Sequence, residues 1–104
     1  MKFIIIYITF PNRKEAKQIV ESLIDKKLVA CANYFPIESV YWWKDEITNA
    51  KEIVSIVKTR KSNWAEVKKA VEAMHPYETP CIMKLEVESN TAYADWIHNE
   101  TKKL

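Results

Sequence analysis

The chain has 104 residues, with 16 Lys and Arg against 14 Asp and Glu, so its length and net charge of +2 indicate one folded domain over residues 1–104. At 48% hydrophobic and 29% charged residues it is neither disordered nor membrane-spanning, and its charges form no basic patch that would predict nucleic-acid binding. The absence of glycine excludes the glycine-rich phosphate loops on which most nucleotide-dependent enzymes depend.

The first apolar segment, residues 3–10, is rich in β-branched residues and predicts a central strand that is covered on both faces. Asn12, followed three residues later by Glu15, predicts a helix start of the capping-box type. An amphipathic helix that lies on a sheet is then indicated by apolar residues at helical spacing, namely Ala16, Ile19, Val20, Leu23 and Ile24.

Residues 28–43 are rich in strand-forming residues, and Pro36 interrupts them. Because proline cannot donate a hydrogen bond into a central ladder, this pattern predicts a bent or bulged strand near a sheet edge. Lys44, Asp45 and Glu46 form the polar tip of a hairpin, and residues 53–59 form the returning strand.

Ser62 or Asn63 is expected to cap a second helix, which ends at His75 and Pro76. A half-buried last strand is predicted where Met83, Leu85 and Val87 alternate with charged residues, and Asn90 is expected to cap a short final helix. The order β-α-β-β-α-β with a C-terminal helix predicts an α+β, ferredoxin-like sandwich. Two helices would cover one face of its sheet, and the other face would be solvated or covered by something else.

The second strand and the hairpin carry several large apolar groups: Tyr34, Phe35, Tyr41, Trp42 and Trp43. Adjacent strand residues point to opposite faces, so Trp42 and Trp43 cannot both enter one core. This favours an interface in a closed oligomer, which would also protect a long hairpin edge. The alternative is that the final helix, which carries Trp96, covers these residues.

His75 lies at the end of the second helix with Tyr77 and Glu78 beside it, and imidazole is a common metal ligand. The alternative is a helix stop in which His75 bonds the last carbonyl groups of the helix. Cys31, Cys81, His75 and His98 could together supply the four ligands of a tetrahedral metal site. The paired spacings typical of such sites, such as CxxC or HxxxH, are absent.

Catalysis has little support in the sequence, because a Cys31–His75 nucleophile pair would need an exposed thiol and Cys31 lies in an apolar strand. We therefore expect a non-catalytic binding protein. Cys31 and Cys81 lack the spacing of a disulfide framework, and the apolar start lacks a small-residue cleavage site. Both features predict a cytoplasmic protein that does not contact a membrane.

The chain resembles the divalent-cation tolerance proteins, the CutA family, in five motifs that occur in the same order and spacing. They are Thr9-Phe10-Pro11-Asn12, Leu28-Val29-Ala30-Cys31-Ala32-Asn33, Tyr41-Trp42-Trp43, Ile56-Val57-Lys58-Thr59-Arg60 and His75-Pro76-Tyr77-Glu78-Thr79-Pro80. The resemblance implies a ferredoxin-like fold in a tight homotrimer, a role in the response to metal ions, divalent metal ions as ligands in some members, and no catalytic activity.

The resemblance carries the metal ligands over only in part. Copper-binding members have a cysteine where this chain has Ile8 and a His-His pair where it has Met74 and His75, so His75 alone is retained. We therefore expect copper or another divalent metal ion to bind weakly or conditionally, with no organic cofactor. The motif residues that gather near the subunit clefts in the family are Cys31, Trp42, Lys58, His75 and Tyr77, and we predict an intersubunit pocket from them.

Two alternatives to a metal-binding homotrimer stay open. One is a sensor similar to the PII signalling proteins, in which the subunit cleft holds an anionic metabolite near Lys58 and Arg60. The other is a scaffold trimer that binds no ligand.

Overall fold

The computed structural model describes residues 2–102 as a four-stranded antiparallel sheet with three α-helices, an α+β architecture. A short 3-10 turn, Lys61–Asn63, precedes the second helix. In chain order the elements are β1 Lys2–Phe10, α1 Arg13–Asp25, β2 Cys31–Trp43, β3 Glu46–Thr59, α2 Trp64–Met74, β4 Ile82–Glu88 and α3 Thr91–Asn99.

The strands lie in the order β2-β3-β1-β4, and each pairs antiparallel with its neighbours. Strand β3 therefore lies between β1 and β2, which is the split arrangement predicted from the order of the elements. As predicted, β1 is a central strand and β2, with Pro36, is an edge strand.

The main core lies between the sheet and the helices α1 and α2, on what we call the helix face. Alternate residues of β1 point into it, and α1 contributes four of the five side chains that the helical spacing predicted. The exception is Ile24, which is 39% exposed, because it lies at the edge of the apolar stripe of α1. Its largest fully buried residues include Ile4, Ile6, Ile8, Phe10, Val20 and Leu23. The start of α1 also follows the prediction, because Asn12 Oδ1 accepts a hydrogen bond of 2.9 Å from the Glu15 amide.

The opposite side of the sheet, which we call the open face, is covered by α3 at the end where β1 begins, and the segment before β4 reaches its other end, where Tyr77 donates to Glu52. Phe3, Ala94 and Ile97 form a small buried cluster under α3. Met83 and Leu85 on β4 are more than half exposed, so the prediction of a half-buried last strand is wrong for these two residues. The reason is that nothing within residues 2–102 covers this part of the open face.

The hairpin formed by β2 and β3 is longer and more regular than predicted. Its pairing runs without a break from Cys31 opposite Lys58 to Trp43 opposite Glu46, so the predicted bulge at Pro36 is wrong. Proline is accommodated because the outer edge of β2 has no neighbouring strand that would require its amide. Strand β3 also begins at Glu46, well before the predicted residue 53.

The last pairing between β1 and β3 joins Phe10 and Ile53, so the hairpin continues past the end of β1. The seven pairs from Ile37 opposite Glu52 to Trp43 opposite Glu46 have no β1 neighbour, and we call this part the hairpin extension. It gives the chain its elongated shape of 45 × 24 × 21 Å.

The start of α2 differs from the prediction in its hydrogen bonding. Asn63 occupies the cap position but makes no capping hydrogen bond, and Ser62 lies in the 3-10 turn. The Asn63 amide nitrogen instead donates to the Leu28 and Lys102 carbonyl oxygens and to the Thr59 hydroxyl. This residue therefore ties the end of the chain to the sheet.

Candidate functional site

His75 fastens the end of α2 to β1. Its backbone amide donates to the Val71 carbonyl oxygen at 2.8 Å and ends the helix. Its side chain donates from Nε2 to the Thr9 carbonyl oxygen at 2.7 Å, and Nδ1 accepts from the Tyr77 amide at 3.1 Å. The ring also stacks on Phe10 with centroids 5.1 Å apart. Both imidazole nitrogens therefore already have protein partners, and the ring does not bond the helix carbonyl groups.

Tyr77 follows in the same segment and reaches β3. Its hydroxyl donates to Glu52 Oε2 at 2.7 Å, and Glu52 is buried. Burial, the hydrogen bond to Glu52 and the charge of that carboxylate raise the pKa of the Tyr77 hydroxyl well above its usual range. The hydroxyl therefore stays protonated and acts as a donor.

A separate polar cluster lies where β2 begins and β3 ends. Cys31 and Lys58 are opposite each other in the sheet, and Tyr93 from α3 covers them. The Tyr93 hydroxyl lies 3.4 Å from Cys31 Sγ and accepts from Lys58 Nζ at 3.1 Å. Burial raises the pKa of the Tyr93 hydroxyl, and the contact with Cys31 adds to this increase. Cys31 is therefore half-buried, packs against the small apolar cluster under α3, and also contacts a polar hydroxyl.

The five residues predicted to form an intersubunit pocket lie in two groups within one chain. Cys31 and Lys58 belong to the polar cluster under α3. Trp42 and Tyr77 line a cavity at the hairpin extension, and His75 precedes Tyr77 beside it. Along β3, Lys58 and Glu52 are separated by about 20 Å of extended strand. An intersubunit pocket built from both groups stays a prediction.

The metal ligands considered above do not come together in one chain. Within residues 2–102, no three His, Cys, Asp or Glu side chains form a group that could hold a metal ion. Cys31 and Cys81 are both free thiols. Burial and the nearby Glu52 charge raise the pKa of the Cys81 thiol, which disfavours the thiolate that metals prefer.

Three residues of these sites were not assigned their roles from the sequence. Glu52 lay just outside the predicted returning strand, residues 53–59, and its burial and its bond to Tyr77 depend on long-range packing that no local pattern indicates. Tyr93 was given no role in a polar cluster from the sequence. Arg60, proposed as an anion ligand, donates from Nε to the Thr101 hydroxyl at 3.0 Å and also to the Thr101 and His98 carbonyl oxygens.

Comparison with known proteins assigns the family. A family model described as CutA1 divalent ion tolerance protein matches residues 4–100. The chain belongs to this family. It is 48% identical over 93 residues to the divalent-cation tolerance protein CutA of Archaeoglobus fulgidus, which covers 88% of this chain and 91% of that protein. It is 44% identical over 95 residues to the CutA of Thermotoga maritima, which covers 90% of this chain and 94% of that protein.

Solved CutA structures have the same fold. The crystal structure of CutA1 from Oryza sativa is 36% identical and superposes with a TM-score of 0.95, covering 100% of this chain and 97% of that one. The crystal structure of CutA1 from Pyrococcus horikoshii is 39% identical with a TM-score of 0.93, covering 96% of this chain and 99% of that one.

The cellular location of this CutA chain stays a prediction. The Archaeoglobus fulgidus CutA structure, 45% identical with a TM-score of 0.92 and covering 98% of this chain and 100% of that one, is described as that of a periplasmic protein. In the part of the chain that the structure describes, no helix has the length and apolar character needed to cross a membrane.

Proposed function

We propose that this CutA chain acts in divalent-cation tolerance as a non-catalytic homotrimer that binds divalent metal ions, copper among them, weakly or conditionally. The observation that carries the proposal is the hairpin extension, which presents large apolar side chains to solvent. Trp42 is 71% exposed, Val40 67% and Ile47 61%. Apolar groups clustered in this way are typical of protein–protein interfaces.

A closed oligomer also accounts for the edges of the sheet. Strands β2 and β4 are both edge strands, and β2 is 13 residues long. Long exposed edge strands can pair with strands of other chains and cause aggregation. A closed symmetric assembly covers these edges with defined subunit contacts. The exposed Met83 and Leu85 on β4 are further surface that subunit contacts would remove from water.

Weak metal binding follows from the hydrogen bonds of His75. To bind a metal ion, its imidazole would have to give up the bond to Thr9 or the bond from Tyr77. Each loss costs on the order of 1 kcal/mol, in addition to the disorder of the segment that these bonds hold. The binding energy of a metal ion at His75 must therefore offset the loss of a hydrogen bond that holds this segment in place.

One observation favours the anion-sensing alternative. Lys58 donates to the Tyr93 hydroxyl and forms no ion pair with any acidic residue within residues 2–102. An anion that reached this cluster would meet a positive charge with no counterion. Arg60 contributes less than expected, because its hydrogen bonds hold the end of the chain.

Native mass spectrometry with and without Cu(II) and Zn(II) tests the proposal. The homotrimer predicts a mass near 36.9 kDa, three times the 12.3 kDa chain. Metal should be retained in multiples of three and lost in His75→Ala, whereas the control His98→Ala, which changes the other histidine, should retain it. A monomer would contradict the proposal. A trimer that retains no metal would contradict its metal-binding part and favour the sensor or the scaffold.

A further inference from the structure

The C-terminal helix α3 is attached to the sheet in a different way from α1 and α2. Those two helices bury their apolar faces in the main core, whereas α3 contributes only Ala94 and Ile97 to a small separate cluster with Phe3. A helix of nine residues is too short to be stable by itself, and the side chain of its cap residue, Asn90, makes no capping hydrogen bond. Contacts outside the small cluster are therefore needed to hold α3 on the sheet.

Arg60, directly after β3, binds the C-terminal end of α3. Its guanidinium group donates from Nε to the Thr101 hydroxyl at 3.0 Å. A second nitrogen donates to the Thr101 carbonyl oxygen at 3.1 Å and to the His98 carbonyl oxygen. The last carbonyl groups of a helix attract a positively charged donor, and the planar fork of arginine can reach several acceptors at once. One side chain of the sheet thus binds three oxygen atoms at the end of α3.

Asn63 holds the residue that follows, Lys102. Asn63 is fully buried, and its Nδ2 donates to the Lys102 carbonyl oxygen at 3.0 Å and to the Leu28 carbonyl oxygen at 3.2 Å. Its Oδ1 is buried without a hydrogen-bond partner within the described chain. Because an unpaired buried acceptor is costly, the side chain is kept in this position by its donors. We call the hydrogen bonds from Arg60 and Asn63 to residues 98–102 the polar latch.

The helix that the polar latch fastens also covers the polar cluster at the end of β3. Tyr93 of α3 contacts Cys31 Sγ and Lys58 Nζ through its hydroxyl, and Lys58 Nζ lies 5.4 Å from the centroid of its ring. Short elements with little apolar packing can open while the rest of a protein stays folded. We propose that α3 and residues 100–102 form a flap that opens from the folded sheet as one unit, and that the polar latch controls this opening and thereby access to Cys31 and Lys58.

Two measurements on the purified chain in its native assembly test the flap. Hydrogen exchange followed by mass spectrometry reports the opening of α3 directly. The second measurement uses Cys81→Ser, in which Cys31 is the only thiol, and the aromatic disulfide dithiobis(nitrobenzoate). The Cys31 thiolate attacks this reagent, a mixed disulfide forms, the bond between the two sulfur atoms of the reagent breaks, and coloured thionitrobenzoate leaves. This bulky reagent reaches the sulfur more readily when Tyr93 has moved away.

The variant Arg60→Lys keeps the positive charge but loses the planar fork. It should speed both the exchange of α3 and the labelling of Cys31 at least about fivefold, the change that one lost hydrogen bond produces. Asn63→Ala removes the other part of the polar latch and should act in the same direction. Ser62→Ala is the control, because Ser62 is exposed and lies outside the polar latch. It should leave both rates unchanged.

Three results would overturn the proposal. One is unchanged exchange and labelling in Arg60→Lys. Another is an equal acceleration in that variant of the exchange of residues 4–10 and of Cys81 labelling, measured in Cys31→Ser, because the whole chain would then open together. The third is a Cys31 labelling rate that falls as the protein concentration rises, which would show that subunit contacts and not the polar latch cover Cys31. The test does not involve metal ions, so the flap and the proposed metal binding can fail independently.

Discussion

The two ends of the β2–β3 hairpin have similar strand-forming sequences but opposite environments. Near its open end Ile53 and Val57 are buried beneath α1 and α2, whereas in the hairpin extension Val40, Trp42 and Ile47 are mostly exposed. The difference is that β1 ends at the level of Ile53, and the core beneath the helices includes Ile53 and Val57 but no residue of the hairpin extension. An apolar pattern thus specifies a strand in both regions, but its burial depends on what covers it. In the extension the proposed cover is another subunit.

Truncating the core beneath the helices should have the largest effect. Leu23→Ala removes a fully buried side chain of α1 and should lower the free energy of unfolding by about 3 kcal/mol or more. Denaturant-induced unfolding at fixed protein concentration measures this change. The control Ile24→Ala, at the next and partly exposed position of α1, should cost much less. Equal costs at both positions would contradict the assignment of the core.

A charge in the hairpin extension should break the assembly and leave the fold of the chain intact. Trp42→Lys places an ammonium group on the proposed interface and should weaken subunit association by about 30-fold or more, as expected for a central tryptophan. Analytical ultracentrifugation measures the association, and circular dichroism checks the fold. Ile24→Lys, an exposed apolar position on α1, is the control and should associate normally. If Trp42→Lys associates normally, the hairpin extension is not part of the subunit interface.

The bond between Tyr77 and Glu52 should appear in the alkaline pH dependence of stability. The pKa of Tyr77 is higher in the folded chain than its usual 10.0, so above about pH 10 the unfolded chain loses this proton first. The contribution of Tyr77 to the free energy of unfolding is therefore fully present below about pH 10 and is lost as the pH rises further. Denaturant unfolding at a series of pH values should show this decline, and Tyr77→Phe should make it shallower.

The decline should not vanish in that variant, because the pKa values of Tyr34 and Tyr93 are also raised. A variant with an unchanged slope would show that the bond is not formed. Tyr77→Phe should also cost about 1 kcal/mol at neutral pH, since a buried carboxylate loses its donor.

The smallest effect should come from the turn of the hairpin. Lys44 and Asp45 both have positive φ, 49° and 65°, in a two-residue turn where glycine and asparagine are favoured. Lys44→Gly removes the left-handed strain of a residue with a Cβ, which exceeds the extra entropy that glycine adds to the unfolded chain, and should raise the thermal midpoint by an amount equivalent to about 0.5–1 kcal/mol. Lys17→Gly is the control, because position 17 lies inside α1 and glycine there should destabilise by a similar amount. A loss of stability in both variants would contradict the turn geometry.

Much of the fold could be predicted from the sequence because local patterns specify it. The continuous apolar run of β1, the helical spacing of α1 with Asn12 at its start, and the order of the elements are all local properties. The polar tip predicted for the hairpin is found at Lys44 and Asp45, between β2 and β3. The motif set also identified the CutA family before any comparison of structures.

Other features were decided by tertiary structure, because they depend on neighbours that are distant in the chain. The pairing register, and not the sequence of β2, shows that Pro36 causes no bulge and that β3 extends back to Glu46. The fold also brings Tyr77 to the buried Glu52, uses both nitrogens of His75, and directs Arg60 to the end of the chain. A sequence pattern reports which residues prefer to be buried or bonded, whereas long-range packing selects their partners.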